Sequence, residues 1–404
     1  MKKCRICKKE LKKIIDFGKI ALVGNFLRSK SKQTKYKLSL NFCKNCKHIQ
    51  IAETLNPDLL FKQYLWETGI SQSNIKILNN FLKKLKKLGL KKNSKVIEIA
   101  SNDGSFLSII KKKFKTFSIG VDPASNLADK ANKKKIYTIN NYFNFKLSKF
   151  IKKKFKRFDF VFARNVIAHL KDPNNIFKGV EFILEDNGVF ILEVPHLLNI
   201  INKNQYDNIF HEHIGFHSVK SIKDLCKLNN LKIFHVEKIN SQGGSIRCYI
   251  CKKKDRRNSS SHLHKFLREE KNSKLFEDRS IMLFKKKIIE HNKKILQMIK
   301  TLKSKGNKIS IYGASGKGQA LLQFCKIGNN LIDYVFDKSK IKQNRYTPGT
   351  NIKILSPSLI DRNNVDFLLI LSWNIKNEIM EQEAKFRKNG GKFIIPFPNP
   401  RIIK

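Results

Sequence analysis

The chain has 404 residues, with 83 Lys or Arg against 32 Asp or Glu and a formal net charge of +51. That length predicts two or three domains with ample buried core. No window approaches the ~20 apolar residues that span a bilayer, and the basic start, Met1 to Lys13, lacks the apolar run of a signal peptide; the expectation is a soluble, cytoplasmic protein with no membrane partner.

Taken alone, the charge predicts a polyanionic partner such as nucleic acid or a nucleotide. The lysines are scattered in short runs, Lys111 to Lys113, Lys133 to Lys135, Lys152 to Lys154 and Lys285 to Lys287, and are not gathered in one block. This distribution points to a chain-wide compositional bias and disfavours nucleic acid. Eight cysteines, four of them in tight pairs, point to metal ligation in a reducing compartment ahead of a disulfide framework.

The first segment, 1–55, carries Cys4-Arg5-Ile6-Cys7 and Cys43-Lys44-Asn45-Cys46, two C-x-x-C knuckles separated by 35 residues. Each knuckle turns two thiolates toward one point, and two knuckles complete a closed, tetrahedral zinc site of the structural kind. A redox C-x-x-C is the alternative, and the pairing of the knuckles speaks against it. Cys248 and Cys251 share the spacing but sit in a β-strand pattern, where an offset of three sends the thiols to opposite faces. A helical linker follows over 56–92. Within it Tyr64 to Ser71 makes an irregular polar break, able to cap the next helix or to cover a ligand, with capping the simpler reading.

In 93–255 the run Lys95 to Ala100 is a short strand, and Ser101-Asn102-Asp103-Gly104-Ser105 turns it into a helix over Phe106 to Lys113. A carboxylate in the first strand, Glu98, a small-residue turn and a helix start form the nucleotide-binding βα unit of a doubly wound sheet. The next strand ends at Asp122, where a carboxylate can take both ribose hydroxyls of an adenosine cofactor. Only Gly104 remains of a glycine fingerprint, which favours a cofactor without a pyrophosphate; S-adenosylmethionine fits and NAD fits less well. The strand Phe158 to Ala163 leads to Asn165 and His169 at the carboxyl edge of the sheet, and Gly188 to Val194 leads through Pro195 into Phe210-His211-Glu212-His213-Ile214-Gly215-Phe216-His217. Three imidazoles beside a carboxylate suit proton transfer, although capped loop histidines would look the same. An antiparallel pair, Leu231 to Val236 and Gly244 to Ile250, completes the outline of a class I methyltransferase.

Residues 256–306 read as a long helical connector, with apolar positions from Ile281 to Leu302 in helical register. In 307–404 a strand Lys308 to Tyr312 runs into Gly313-Ala314-Ser315-Gly316-Lys317-Gly318 and a helix Gln319 to Cys325. The glycine turn can cradle phosphate, with Lys317 adding charge, but the spacing is not that of a P-loop, and a tight turn with no ligand is an equal reading.

The knuckles, Glu98 to Gly104, Glu193-Val194-Pro195, His211-Glu212-His213, Gly243-Gly244-Ser245, Tyr312-Gly313-Ala314, Pro348-Gly349-Thr350 and Ser372-Trp373-Asn374 together resemble the nucleotide-sugar C-methyltransferases of deoxysugar biosynthesis. The resemblance runs nearly the whole chain. It implies a class I methyltransferase sheet flanked by an N-terminal zinc-binding module, with ligands Cys4, Cys7, Cys43 and Cys46, and by a C-terminal Rossmann-like domain. It implies S-adenosylmethionine-dependent methylation at carbon 3 of a 4-keto nucleotide-diphosphate sugar by a monomer or weak dimer. Its implied catalytic groups are His213 as base, Glu212 as partner and His169. Cofactor contacts fall to Glu98, Ser101, Asn102, Gly104, Asp122 and Asn165, and substrate contacts to His196, Gly244, Tyr312, Lys317 and Asp337. The chain departs from the family where a Tyr commonly precedes the motif and Phe210 stands instead. Either His211, His217 or His169 replaces that hydroxyl, or the substrate differs.

Two other readings stand beside this one. An RNA-modifying methyltransferase would use the charge and the zinc module, but Glu193-Val194-Pro195-His196 lacks the paired prolines and aromatic of amino-methylating enzymes. A non-catalytic nucleotide-sugar-binding protein of the same fold is the other.

Overall fold

The computed structural model describes residues 3–64 and 72–404, so most of the Tyr64 to Ser71 break lies outside the described residues. β1 (Lys12–Ala21), β2 (Lys35–Cys43) and β3 (His48–Ile51) form an antiparallel meander. A one-turn helix at Asp58–Phe61 and a 16-residue helix at Gln72–Lys87 lead to the central domain.

There β4 (Lys95–Ile99), β5 (Phe117–Val121), β6 (Thr138–Ile139), β7 (Phe158–Arg164) and β8 (Leu184–Pro195) are parallel. Their buried, Ile/Val/Phe-rich runs are those of strands covered on both faces. Intervening helices begin at side-chain caps: the Asn144 side chain accepts from Leu147 N, and that of Asp172 accepts from Asn175 N with Pro173 at the first helical position.

After β8 the chain leaves this sheet. β9 (Gly215–Phe216) pairs antiparallel with β3, so the N-terminal sheet takes its fourth strand from the segment that follows His213. β10 (Leu231–Ile239) and β11 (Ser245–Lys252) rejoin the central sheet, β11 antiparallel to β8 and β10 antiparallel to β11, so that β11 runs against its neighbours and the order is β10-β11-β8-β7-β4-β5-β6. This is the class I methyltransferase arrangement, and the strand order reverses between β4 and β7. Cys248 packs in the cluster on one face of the sheet with Val236, and Cys251 in that on the other face with Tyr249, as an offset of three on a strand requires.

The connector is two helices, not one. Ser261–Asn272 and Asp278–Ser304 are separated where Lys274 adopts φ 51° and Leu275 turns into the core at 2% exposure. Ser273 Oγ, bonded to Glu270 O and accepting from Leu275 N, ends the first helix.

The C-terminal sheet comprises β12 (Ile309–Tyr312), β13 (Val335–Phe336), β14 (Ile354–Leu355), β15 (Phe367–Ile370), β16 (Lys392–Ile395) and β17 (Arg401–Ile403). Its order is β14-β13-β12-β15-β16-β17, parallel except at β17. The helix after β12 starts at Gly316, ahead of the predicted Gln319, because the Ser315 side chain accepts from Gly318 N and caps it there. Among the described residues no helix is long and apolar enough to cross a membrane.

The three modules meet at Phe210, which packs with Val23 of the first module and Ala320 of the third. Gln323 adds a pair of hydrogen bonds to the backbone of Ala21. The region around the histidine cluster is thus a junction of all three.

Candidate active site

The crevice outside β4 and β7 is where an open α/β sheet takes its ligand. Ala100, Asn102 and Asn165 there hold φ between 54° and 56°, conformations strained for Ala and tolerable for Asn. Gly104 adopts φ 70° and caps the helix Ser105–Phe114; a side chain there would meet Ala131 Cβ at 2.9 Å. Asp122 shapes the turn, since its Oδ2 accepts from Asn102 N at 2.7 Å and its Oδ1 from Ala124 N at 2.9 Å. Glu98 Oε1 accepts from Arg164 Nε at 2.8 Å. Burial nevertheless pushes Glu98 up to about 7, against the pull of Arg164. Glu98 Oε2, Ser101 Oγ and Asn165 Oδ1 are buried without partners. Such atoms are costly unless something polar arrives, and three around one crevice fit a polar, hydroxyl- and amine-bearing cofactor.

The catalytic candidates stand beyond the ends of β7 and β8. The rings of His169 and His213 lie 5.0 Å apart, and Phe210 stacks on His213 at 4.2 Å. His213 Nδ1 is 2.9 Å from Asn208 O, and His169 Nδ1 is 2.7 Å from Glu212 O. A ring nitrogen facing a carbonyl must carry the proton, so each neutral ring keeps its lone pair on Nε2. Burial, then His169, then Lys317 hold His213 well below the ordinary histidine value.

Glu212 does not orient His213. Adjacent side chains in this turn diverge, and the Glu212 carboxylate instead accepts from the Tyr64 hydroxyl at 3.2 Å. Burial raises Glu212 to about 7, with Tyr64 opposing. Of the other imidazoles, His211 bonds Lys37 O at 3.1 Å and His217 packs on His48 at 4.6 Å, both against the N-terminal module.

The five residues expected on the substrate are dispersed. Lys317 reaches the histidine site: its Nζ donates to Gln242 O at 3.0 Å, and its charge bears on both His213 and Asp207. Its ammonium lies deep in the protein although the residue keeps accessible surface, as do His169, Glu212 and His213, which is the pattern of a cleft wall. Tyr312 is buried against Glu383, and Asp337 accepts from Ala314 N at 2.6 Å and Ser339 N at 2.8 Å, both at the C-terminal switch point. Gly244 O accepts from His196 N and Asn199 Nδ2.

The four sulfurs of Cys4, Cys7, Cys43 and Cys46 lie within 4.8 Å of one another, with two pairs at 3.5 Å. A tetrahedral zinc with bonds of about 2.3 Å separates its sulfurs by roughly 3.8 Å, so the set fits one ion with no open position.

Sequence reasoning missed Arg5, Asn208 and Asp207. Asp207 accepts from Trp373 Nε1 at 2.7 Å and is fully enclosed, with burial raising it. The polar run Gln205 to Asn208 ahead of the histidines was the available signal.

Three family models match the chain in order: a zinc binding domain over residues 4–61, a methyltransferase domain over 71–236, and a C-methyltransferase C-terminal domain over 240–398. The C-methyltransferase NovU of Streptomyces niveus is 30% identical over 405 residues, covering 99% of this chain and 96% of that protein. The chain belongs to the C-methyltransferase family. A phosphoethanolamine N-methyltransferase of Plasmodium falciparum is 27% identical over 33% of the chain and 49% of its own length. The crystal structure of PH0226 protein from Pyrococcus horikoshii OT3 overlays 49% of this chain and 97% of its own at 19% identity, with a TM-score of 0.37. This C-methyltransferase is an S-adenosylmethionine-dependent enzyme with a structural zinc held by its N-terminal cysteines.

Proposed function

We propose that this C-methyltransferase acts at carbon 3 of a 4-keto nucleotide-linked deoxysugar, through base-catalysed formation of an enolate. The observation that carries this reading is the state of His213. Its Nδ1 proton is fixed on Asn208 O, its Nε2 lone pair is free, and its surroundings keep it neutral. A sugar carbon becomes a nucleophile only when the proton beside a ketone is removed, and a neutral buried imidazole is suited to that step.

S-adenosylmethionine, held by Glu98, Ser101, Asn102, Gly104, Asp122 and Asn165, supplies an electrophilic methyl group. The protein's own work is to take the proton at His213 Nε2 and to steady the negative charge that forms on the substrate oxygen. The Lys317 ammonium is a cation whose charge acts on His213, and in a dry site a fixed positive charge is worth several times its value in water. His169 packs against His213 and bonds the Glu212 carbonyl, while the Glu212 carboxylate is engaged by Tyr64. We assign the diphosphate to the turn Gly313 to Gly318, with Asp337 behind it.

The test is proton exchange without transfer. In deuterated water, with S-adenosylhomocysteine present, a 4-keto-6-deoxy nucleotide sugar should gain deuterium beside its ketone, and His213→Ala should abolish the gain. Persistence of exchange in the variant, or its absence in the native enzyme, defeats the assignment.

A further inference from the structure

The helix Leu197–Asn202 has two differently furnished faces. Ile200 lines a small pocket together with Asn208 and His213. Leu198, Asn199 and Asn202, on the other face, line a separate cavity of about 850 Å³ whose far wall is the helix Ser261–Asn272. That volume is in the range that accommodates a small organic ligand.

Lys238, Lys265 and Arg268 bring three cations to this cavity, with His262 beside them. Among the described lining residues Glu269 is the one carboxylate, and it is paired to Lys238 at 3.3 Å. The electrostatic balance therefore favours an anion. His196 borders the same cavity from the core side, at 0% exposure. Its Nε2 is 2.7 Å from Glu270 Oε1, while its Nδ1 is buried and unpartnered. Glu270 also accepts from Val219 N at 2.6 Å and Lys220 N at 3.0 Å, so the ring is held firmly from behind. Against that fixed wall, three cations facing one paired carboxylate, with the amides of Asn199 and Asn202 beside them, furnish the cavity for an anionic ligand.

We infer that this cavity is a second binding site, separate from the His213 cleft, for a small molecule bearing a diphosphate. Lys265 and Arg268 neutralise the phosphates, Arg through a fork of donors matched to their oxygens. The amides of Asn199 and Asn202 take the remaining polar groups. The inference does not depend on the identity of the methylated sugar.

Calorimetric titration of the full zinc-loaded chain with inorganic pyrophosphate, at fixed ionic strength, tests it. The double variant Lys265→Ala/Arg268→Ala should lose at least tenfold in affinity. Lys112→Ala/Lys113→Ala, with the same loss of charge on a distant helix, should lose less than twofold. Repeating the titration with ADP separates a free diphosphate from a nucleoside-linked one, and loss of either in the first variant alone supports the site. Equal losses in both double variants would mean generic attraction to a basic protein. Loss on Lys317→Ala with the Lys265/Arg268 variant unaffected would place binding in the catalytic cleft. Either result, or no binding by the native protein, overturns the inference.

Discussion

Arg5 Nη1 lies 2.7 Å from Ile51 O and 3.3 Å from Ile214 O, so a residue inside the first zinc knuckle holds the backbone next to His213. Its Nη2 adds Glu53 O at 3.3 Å and Thr54 Oγ1 at 2.9 Å. The guanidinium is 1% exposed and serves several carbonyls at once. With Cys4 and Cys7 fixed by zinc, this fork is fixed too, and it reaches the loop that carries His213. Arg5→Ala leaves those carbonyls unsatisfied, and loss of charged hydrogen bonds of this kind costs about 3 kcal/mol. Thermal unfolding should show that loss, and kcat should fall at temperatures where the variant is still folded. Chelation of zinc should lower kcat in the same way. A folded Arg5→Ala enzyme with unchanged kcat would show the contact to be structural alone.

The pH dependence of kcat/KM follows from the neighbours of His213. Burial and the nearby positive charge of Lys317 both disfavour the imidazolium, so the folded value lies below the ordinary 6.5. With His213 as the proposed base, the active form is present above that lowered value, and the acid limb should fall below pH 6.5. Removing the Lys317 charge makes protonation easier. Lys317→Ala should thus move the limb to higher pH as well as slow the reaction, whereas a residue that only bound a distant phosphate would leave the limb in place. Measured pH profiles of both enzymes decide this.

Much of the architecture is written in local pattern. Two knuckles at metal spacing name the four zinc ligands, and short β-branched runs ending in Glu98-to-Gly104 and Asp122 mark the cofactor crevice, because period and turn chemistry are properties of neighbouring residues. What the sequence hides is long-range. Arg5 and Ile214 are 209 positions apart, and nothing local to either requires the other. Glu212 looks like the partner of His213 by adjacency, yet the turn separates their side chains and gives Glu212 to Tyr64. Lys317 sits in a glycine turn that reads as a phosphate cradle, and only docking of the third module brings it to the histidines.

Phe210, 4% exposed, occupies an apolar niche between Val23 and Ala320 with its ring on His213. A side chain built at Gly316 would lie 3.8 Å from its Cζ, the atom that would bear a tyrosine hydroxyl. Phe210→Tyr puts that hydroxyl beside Gly316, in a niche whose side chains, Val23 and Ala320, offer it no partner, at a cost of about 1–3 kcal/mol. The variant should unfold at lower temperature without a gain in kcat. A rise in kcat would instead mean that the hydroxyl finds the substrate, and that Phe210 is a deficit.

The two Rossmann-type sheets share a device. Asp122 accepts from Asn102 N in the turn after β4 and from Ala124 N two residues on; Asp337 accepts from Ala314 N in the turn after β12 and from Ser339 N two residues on. In each, one carboxylate ties the ligand-facing turn to the neighbouring strand through two acceptor oxygens. An asparagine keeps one acceptor and sets an amide group against the other backbone N–H, so one bond is lost in either variant. The consequences should separate by module. Asp122→Asn should weaken S-adenosylmethionine binding roughly tenfold, the equivalent of one hydrogen bond, while Asp337→Asn should leave that affinity alone and raise KM for the nucleotide-linked substrate. Calorimetry with the cofactor and steady-state kinetics with the sugar nucleotide resolve the two. If Asp337→Asn changed neither quantity, the second turn would have no part in holding substrate, and the Lys317 side chain would be its one contribution to the active site.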